Sequence, residues 1–252
     1  MTIITITTDF GTRDSYVAEL KGVLLTGAPG AMPVDVSHDI PPGDVRSAAY
    51  VLGRTWHCFP PGTIHLVVVD PGVGGARHPL ALTAREHCFV GPDNGVFTPV
   101  LHDTEVDAAV LHTPADVAPT FHGRDIFAPA AAALARGAQL SSLGLPFDGL
   151  PIRLAYTEPH VEGKSLVGEI MYVDHFGNLI TNLGAELVPV HARLEIEDLD
   201  LGPLRRTYSD VAPGALVIYV GSGRSVEIAV RDGSAAERLS IGVGARVRVR
   251  FD

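Results

Sequence analysis

Two segments of this sequence end an apolar, β-branched run in an aspartate. Residues 3–8 lead into Asp9, and residues 64–69 lead into Asp70. Such runs are typical of buried parallel strands, and in open α/β sheets ligands bind just beyond the carboxyl ends of the strands. Ionised carboxylates only accept hydrogen bonds, so the pair suits a polyhydroxylated or cationic ligand. The same residues are also compatible with ordinary turns, and Asp14 with a helix N-cap.

The turn that follows Asp70 is rich in glycine and ends near a cation. Gly72, Gly74 and Gly75 precede Arg77. Glycine lets the backbone approach a ligand closely, and arginine stays protonated and only donates hydrogen bonds. Arg77 could therefore hold an anion or fix Asp70, but it cannot act as a base.

Three further clusters combine residue types that could do chemistry. His122 lies between an aromatic residue and a glycine ahead of a predicted helix. It could act there as a general base or an orienting donor, although its spacing fits a surface loop equally well. Residues 174–178 offer a carboxylate, an aromatic face and an amide. Small residues at 221–223 allow close backbone approach, and Arg224 could bind a carboxylate.

Composition narrows the classes of function. The 252 residues carry a net charge of −10 without a basic patch, which argues against a nucleic-acid partner. No apolar stretch is long enough to cross a bilayer, and the sequence begins directly in a predicted strand without a signal peptide. We therefore expect a cytoplasmic protein with no membrane partner. No histidine, cysteine or carboxylate pair has metal-ligand spacing, so we expect no metal site.

The pattern of elements predicts two domains. Residues 1–142 alternate strands with helices, which is typical of an α/β domain with a largely parallel sheet. Residues 143–163 are rich in glycine, proline and polar residues and are predicted as a linker. Residues 164–252 show short strand signals without helix signals and are predicted as a small all-β barrel. The predicted strands are 3–7, 34–36, 64–69, 80–83, 88–90, 108–111, 166–173, 179–181, 193–196, 216–220, 226–230 and 246–251. The predicted helices are 15–25, 44–56, 95–101 and 125–136.

Taken together, five blocks of this sequence resemble one family. They are Thr8-Asp9-Phe10-Gly11, Val69-Asp70-Pro71-Gly72-Val73-Gly74 with Arg77, Phe121-His122-Gly123-Arg124, Asp174-His175-Phe176-Gly177-Asn178 and Ile228-Ala229-Val230. In this order they look like the S-adenosyl-L-methionine hydroxide adenosyltransferases, the hydrolytic relatives of fluorinase and chlorinase. The resemblance implies a hydrolase that converts S-adenosyl-L-methionine and water to adenosine and L-methionine without a cofactor. It also implies an α/β domain joined to a β-barrel, and homotrimers with sites between subunits.

The resemblance also implies the role of each site residue. It assigns catalysis to Asp70, Arg77 and His122. It assigns substrate contacts to seven residues: Asp9 to the ribose hydroxyls, Asp14 and Asp174 to the methionine ammonium, Phe121 to the wall of the site, Phe176 to the neighbourhood of the adenine, Asn178 to an adenine hydrogen bond and Ser222 to the methionine carboxylate.

Two alternatives stay open at this point. A halide-using enzyme of the same superfamily is disfavoured, because the fluorinating members carry tyrosine at the position of Asp70 and a Tyr-Ser pair at His122-Gly123. They also carry an insertion after the strand at 80–83. A protein that only binds S-adenosyl-L-methionine or adenosine is disfavoured because binding needs no water-activating trio. Two positions depart from the fluorinating members: Gly223 replaces an arginine, and Gly43 replaces a tryptophan.

Overall fold

The chain folds into two compact units, Met1–Leu154 and Ala155–Asp252. The computed structural model describes residues 1–102, 105–189, 191–197 and 199–250. Strands and helices are numbered below in chain order through both units.

The first unit is built on a seven-stranded sheet in the order β2-β1-β3-β5-β4-β6-β7. Its strands are β1 (Ile3–Thr8), β2 (Met32–Ser37), β3 (Ile64–Val68), β4 (Pro79–Ala84), β5 (His87–Pro92), β6 (Asp107–Leu111) and β7 (Gly144–Pro146). Its helices are α1 (Tyr16–Gly27), α2 (Val45–Thr55) and α3 (Ala128–Ala135). The pairs β1–β2, β1–β3 and β3–β5 are parallel, whereas β4 pairs antiparallel with both β5 and β6, and β6 pairs antiparallel with β7.

Helices cover both faces of this sheet, as its sequence requires. Side chains alternate across a strand, so Leu66 and Val68 of β3 join the core beneath α1 and α3, while Val67 packs on the opposite face with Leu52 of α2. All five residues of β3 are buried. A strand buried on both faces explains why its sequence is a continuous apolar run rather than an alternating one.

The second unit is a small β-barrel, as the sequence predicts, and it also contains a short helix that the sequence did not predict. Its strands are β8 (His160–Glu162), β9 (Ser165–Val173), β10 (Leu179–Gly184), β11 (Arg193–Ile196), β12 (Leu199–Arg205), β13 (Leu216–Val220), β14 (Ser225–Val230) and β15 (Arg246–Arg250), and its helix is α4 (Ala235–Leu239). The strands follow the order β10-β14-β13-β12-β11-β15-β9, and the pairing of β9 with β10 closes a seven-stranded barrel, which β8 flanks. Only β12 and β13 run parallel among these described pairs.

Several predicted elements differ from the structure. The helix predicted at 95–101 is wrong: Gly95 has a φ of +97°, and only a 3-10 turn forms at Thr98–Val100. Two elements are not predicted from the sequence: β12, whose Gly-Pro pair is unusual inside a strand, and α4. The segment 143–163 contributes β7 to the first sheet and β8 to the second.

The last predicted strand is found at Arg246–Arg250 with its two valines buried and its arginines at least partly exposed, while Phe251 lies outside the described residues. Within the described ranges, no helix combines the length and the apolar character that a membrane span would need.

Candidate functional site

A pocket of about 320 Å³ lies in the first unit where two neighbouring parallel strands end. Thr8 of β1 is in register with Val68 of β3, so Asp9 and Asp70 follow at the same edge of the sheet. Both aspartates line the pocket, as the carboxyl ends of parallel strands predict. The other lining residues are Phe10, Pro42, Gly43, Val68, Pro71, Val73, Thr120, Phe121, His122 and Gly123.

Asp70, Arg77 and His122 form one hydrogen-bonded array. Nε of Arg77 donates to both carboxylate oxygens of Asp70, at 3.1 and 3.0 Å, and Nη2 donates to Oδ2. The same Nη2 lies 2.8 Å from Nδ1 of His122. The side chains of Asp70 and Arg77 are only 5% and 9% exposed, so this ion pair is largely removed from water. Arg77 therefore fixes two residues that line the pocket, while it lies outside the lining itself.

The bond to Arg77 determines the protonation of His122. A guanidinium has no acceptor atom, so Nδ1 must accept, and the proton of the neutral ring lies on Nε2. Burial lowers the pKa of His122, and the charge of Arg77 lowers it further, against smaller opposing effects of Asp70 and Asp125. His122 is thus held neutral near pH 7, with one N–H available as a donor.

Local backbone packing joins the two loops that carry this array. Gly74 has a φ of +74°, and a Cβ at this position would lie 2.6 Å from the carbonyl oxygen of Pro119. A side chain there would both strain the backbone and push away the loop before His122. The chain then enters a π-helical turn at Gly123–Phe127, directly after His122. Such turns often occur at functional sites.

An aromatic cluster forms one wall of the pocket. Phe121 contacts Phe10 and Tyr16 edge-to-face, with ring centroids 5.7 and 5.3 Å apart. The guanidinium carbon of Arg124 lies 4.8 Å from the centre of the Phe121 ring.

Asp9 is held at the edge of the same pocket by the backbone. Its Oδ2 accepts a 2.8 Å hydrogen bond from the backbone N–H of Gly43. One carboxylate oxygen of Asp9 is thereby anchored, and among the described residues none donates a hydrogen bond to Oδ1, which can accept one from a ligand.

A second pocket, of about 590 Å³, lies in the barrel unit. Its lining consists of Phe176, Asn178, Tyr208, Val230, Arg231, Asp232 and Gly233. Among these lining residues, Phe176 is 73% exposed, whereas Asn178 is only 4% exposed. A large exposed aromatic ring beside a buried amide is an arrangement that can stack a flat ligand and hydrogen-bond its edge.

Asp174 is engaged within its own loop. Its Oδ1 accepts backbone hydrogen bonds from Phe176 and Asn178, both at 2.9 Å, and its Oδ2 accepts Nδ2 of Asn178 at 2.8 Å. Because an oxygen of a carboxylate has two lone pairs, Oδ2 keeps room for one further donor.

Four sequence-predicted residues line neither of these two pockets: Arg77 and Asp174, whose contacts are given above, and Asp14 and Ser222. Asp14 is exposed in the loop before α1, where Ser15 is the N-cap, and Ser222 is exposed in the turn between β13 and β14. Sequence reasoning also missed Tyr208, Tyr219 and Glu227, whose side chains form a hydrogen-bonded chain behind Asn178. The sequence did contain one signal for this chain. Glu227 lies inside the apolar run of β14, and a buried glutamate is unusual unless it has a hydrogen-bonding partner.

No group of three or more histidine, cysteine or acidic side chains in the described ranges could hold a metal ion. In the first pocket, Asp70 and His122 are instead joined to each other through Arg77.

Comparisons with known proteins cover both units. The family model described as SAM hydroxide adenosyltransferase N-terminal domain matches residues 4–144, and the corresponding C-terminal domain matches residues 168–248. The chain is 42% identical to the (R)-S-adenosyl-L-methionine hydrolase of Salinispora tropica over 98% of this chain and 97% of that protein. A fluorinase of an Actinoplanes species is 30% identical, covering 98% and 97%. The crystal structure of an uncharacterized conserved protein from Thermotoga maritima matches all of both chains with a TM-score of 0.90 and 33% identity.

Proposed function

Because this chain belongs to the SAM hydroxide adenosyltransferase family, we propose a mechanism for it as an S-adenosyl-L-methionine hydrolase that releases adenosine and L-methionine. The family match confirms the resemblance drawn from the five sequence blocks. The mechanism rests on the buried array of Asp70, Arg77 and His122 beside the first pocket. Such an array supports water activation, which a protein that only binds its ligand does not need.

The reaction is a displacement at the 5′ carbon of the ribose. A bond forms between the water oxygen and C5′, the bond between C5′ and sulfur breaks, and its electron pair returns to the sulfur. Methionine leaves as a neutral thioether, so the leaving group needs no proton and no general acid is required. The water must lose its proton, and it must lie opposite the sulfur.

Asp70 and His122 share the task of placing that water. The carboxylate of Asp70 accepts a hydrogen bond from the water and takes its proton as the bond to carbon forms. Nε2–H of His122 donates to the water oxygen and aims a remaining lone pair at C5′. Arg77 is a positioning residue that holds both partners, and its charge favours the hydroxide form of the nucleophile. The partly apolar wall strengthens the attraction between hydroxide and sulfonium.

The substrate contacts differ in how strongly the structure supports them. The unanchored oxygen of Asp9 supports a ribose contact, and Phe121 supports a wall of the same pocket. Phe176 and Asn178 support adenine binding in the barrel unit. Oδ2 of Asp174 has room for an ammonium group, while Asp14 and Ser222 remain proposals that rest on the family resemblance.

We further propose that the enzyme is a cytoplasmic homotrimer, without a cofactor, whose sites form between subunits. This proposal rests on the family resemblance, with each unit offering part of the substrate-contact set. It is tested by mixing two inactive variants, His122→Ala and Asn178→Ala. Mixed trimers would contain some interfaces with both intact halves and would recover activity. No recovery after verified subunit exchange, or a monomeric mass in light scattering, would reject the proposal.

The names of the curated relatives specify the R form of S-adenosyl-L-methionine. We extend this preference to the present chain, because a site that fixes both the adenosine and the methionine chain has room for the sulfonium methyl group on only one side of the sulfur. With a mixture of the two sulfonium epimers, the enzyme should consume the R epimer first. Chromatography measures the amount of each epimer over time, and equal rates of consumption would contradict the preference.

The test of the proposed function uses purified protein, S-adenosyl-L-methionine and water labelled with ¹⁸O. We expect adenosine that carries one ¹⁸O at the 5′ position, both with and without a chelator. Fluoride or chloride should not enter the product, in agreement with Asp70 and His122 at the positions that distinguish the fluorinating members. Asp70→Asn is the matched control and should release little adenosine. Unlabelled adenosine would reject attack by water at C5′, a halogenated nucleoside would favour the halide-using alternative, and bound but intact substrate would favour the non-catalytic one.

A further inference from the structure

A chain of three hydrogen bonds leads from Asn178 and Tyr208 in the wall of the barrel pocket to Tyr219 and Glu227, and the mechanism above gives no role to the last three residues. Tyr219 donates its hydroxyl hydrogen to Oε2 of Glu227 at 2.6 Å, in the buried space between β13 and β14. Since that hydrogen is committed, the bond between Tyr208 and Tyr219 must use the hydrogen of Tyr208. The oxygen of Tyr208 then accepts Nδ2 of Asn178 at 3.2 Å. Burial and these bonds raise the pKa of Tyr219, which keeps its hydroxyl protonated.

The two partners of Asn178 determine which end of its amide is free. Oδ2 of Asp174 accepts but cannot donate, so the nitrogen of the amide must point toward it. The second hydrogen of the same nitrogen goes to Tyr208. Both amide hydrogens are therefore used inside the protein. Among the described residues, none donates a hydrogen bond to Oδ1 of Asn178, which leaves an acceptor for a ligand in the pocket that Asn178 lines.

Glu227 is itself held in place by close packing against the next turn. A Cβ on Gly221 would lie 1.8 Å from Oε1 of Glu227, so the carboxylate occupies the space that any side chain at 221 would need. Tyr219 and Glu227 are also direct partners in the antiparallel pair β13–β14. The end of the hydrogen-bonded chain is thus fixed by the backbone of the barrel.

We propose that Tyr208, Tyr219 and Glu227 are positioning residues that make Asn178 present only a hydrogen-bond acceptor, so that the barrel pocket selects a base with a donor on its edge. This inference rests on the proposed function, in which the base is adenine. The 6-amino group is the donor of adenine, and its ring nitrogens are acceptors that the oxygen of Asn178 would repel. The three residues therefore set selectivity for a 6-aminopurine over an otherwise identical purine.

The experiment measures the dissociation constants of adenosine and purine riboside, which lacks the 6-amino group, for the full-length protein by calorimetry. The wild type should bind adenosine at least about tenfold more tightly, as the loss of one buried hydrogen bond predicts. In Tyr208→Phe, the second amide hydrogen of Asn178 loses its acceptor and can be donated to a ring nitrogen of the purine. The ratio of the two constants should fall to within about threefold of one. This ratio does not depend on the fraction of folded protein.

Two further variants and one control sharpen the test. Glu227→Gln keeps an acceptor for Tyr219 and should retain the wild-type ratio, whereas Glu227→Leu should lower it. Tyr50→Phe removes a hydroxyl from α2 in the first unit and should leave the ratio unchanged.

The possible failures of the test are distinguishable. A wild-type ratio near one, or a wild-type ratio preserved in Tyr208→Phe, would overturn the inference while adenosine release still supports the proposed function. Absence of both adenosine binding and adenosine release would reject the proposed function itself.

Discussion

Replacing Arg77 by lysine tests whether the geometry of the guanidinium, and not only its charge, holds the array. Arg77 reaches both oxygens of Asp70 and Nδ1 of His122 with two nitrogens. The single ammonium of lysine is a point charge and cannot span the same atoms. We expect lysine to keep one contact with Asp70 and to lose the bond to His122.

The magnitude follows from burial. A hydrogen bond to a charged group contributes about 1.5–3 kcal/mol, and a largely buried carboxylate with a poor partner is strongly destabilising. With Asp70 only 5% exposed, Arg77→Lys should lower the free energy of unfolding by about 3 kcal/mol. Release of His122 should lower kcat by about tenfold to hundredfold, because misplaced catalytic groups are costly to the rate. KM should change much less.

Urea unfolding and steady-state kinetics measure the two effects. Arg193→Lys is the matched control, since Arg193 pairs with Asp200 on the surface with side chains 44% and 47% exposed. Exposed pairs contribute about 0–1 kcal/mol, so this variant should unfold almost as the wild type does. If Arg77→Lys lost no more stability than Arg193→Lys and kept its kcat, the argument from buried fork geometry would be wrong.

Three further predictions concern the same unit. Asp70→Asn and His122→Ala should each lower kcat while the dissociation constant of the substrate stays within about tenfold; a large loss of affinity with normal turnover would assign either residue to binding. Gly74→Ala should destabilise the protein by at least about 1 kcal/mol more than Gly62→Ala, roughly the cost of one clash, because both glycines have positive φ but only a Cβ at Gly74 would meet a backbone oxygen. Equal thermal unfolding temperatures of the two variants would contradict this. Burial lowers the pKa of His65 to about 3, so below pH 6.5 the unfolded state binds a proton that the folded state does not, and the free energy of unfolding should fall by about 2 kcal/mol by pH 5. In urea unfolding, His65→Gln should remove this part of the pH dependence, and an unchanged dependence of the unfolding free energy on pH would refute the prediction.

The sequence predicts the placement of the aspartates better than that of the histidine. Asp9 and Asp70 end two buried strands, and a local pattern is enough to place both at one edge of a parallel sheet. His122 is brought to Arg77 by a loop whose path depends on contacts such as that between Gly74 and Pro119. No local spacing encodes that path, and a surface loop was equally compatible with the sequence around His122.

The same distinction explains the misses in the barrel unit. Apolar strands such as β9 and β13 are visible in the sequence, whereas the Gly-Pro pair of β12 interrupts its strand pattern. Tyr208, Tyr219 and Glu227 come from a loop and two strands. They meet only when β13 pairs with β14 and the loop after β12 folds against β13. A pattern confined to one segment cannot reveal a hydrogen-bonded chain assembled from three.

The odd number of strands in the barrel has a consequence for the pocket. When a sheet closes on itself, strand directions must match after one full circuit, so the number of antiparallel neighbours is even. Seven strands therefore require at least one parallel pair, and β12 with β13 supplies it. A parallel pair cannot be joined by a hairpin, so residues 206–215 must travel back from the end of β12 to the level at which β13 begins. Tyr208 lies on that return path, which means that the parity of the barrel brings the hydroxyl group to Asn178.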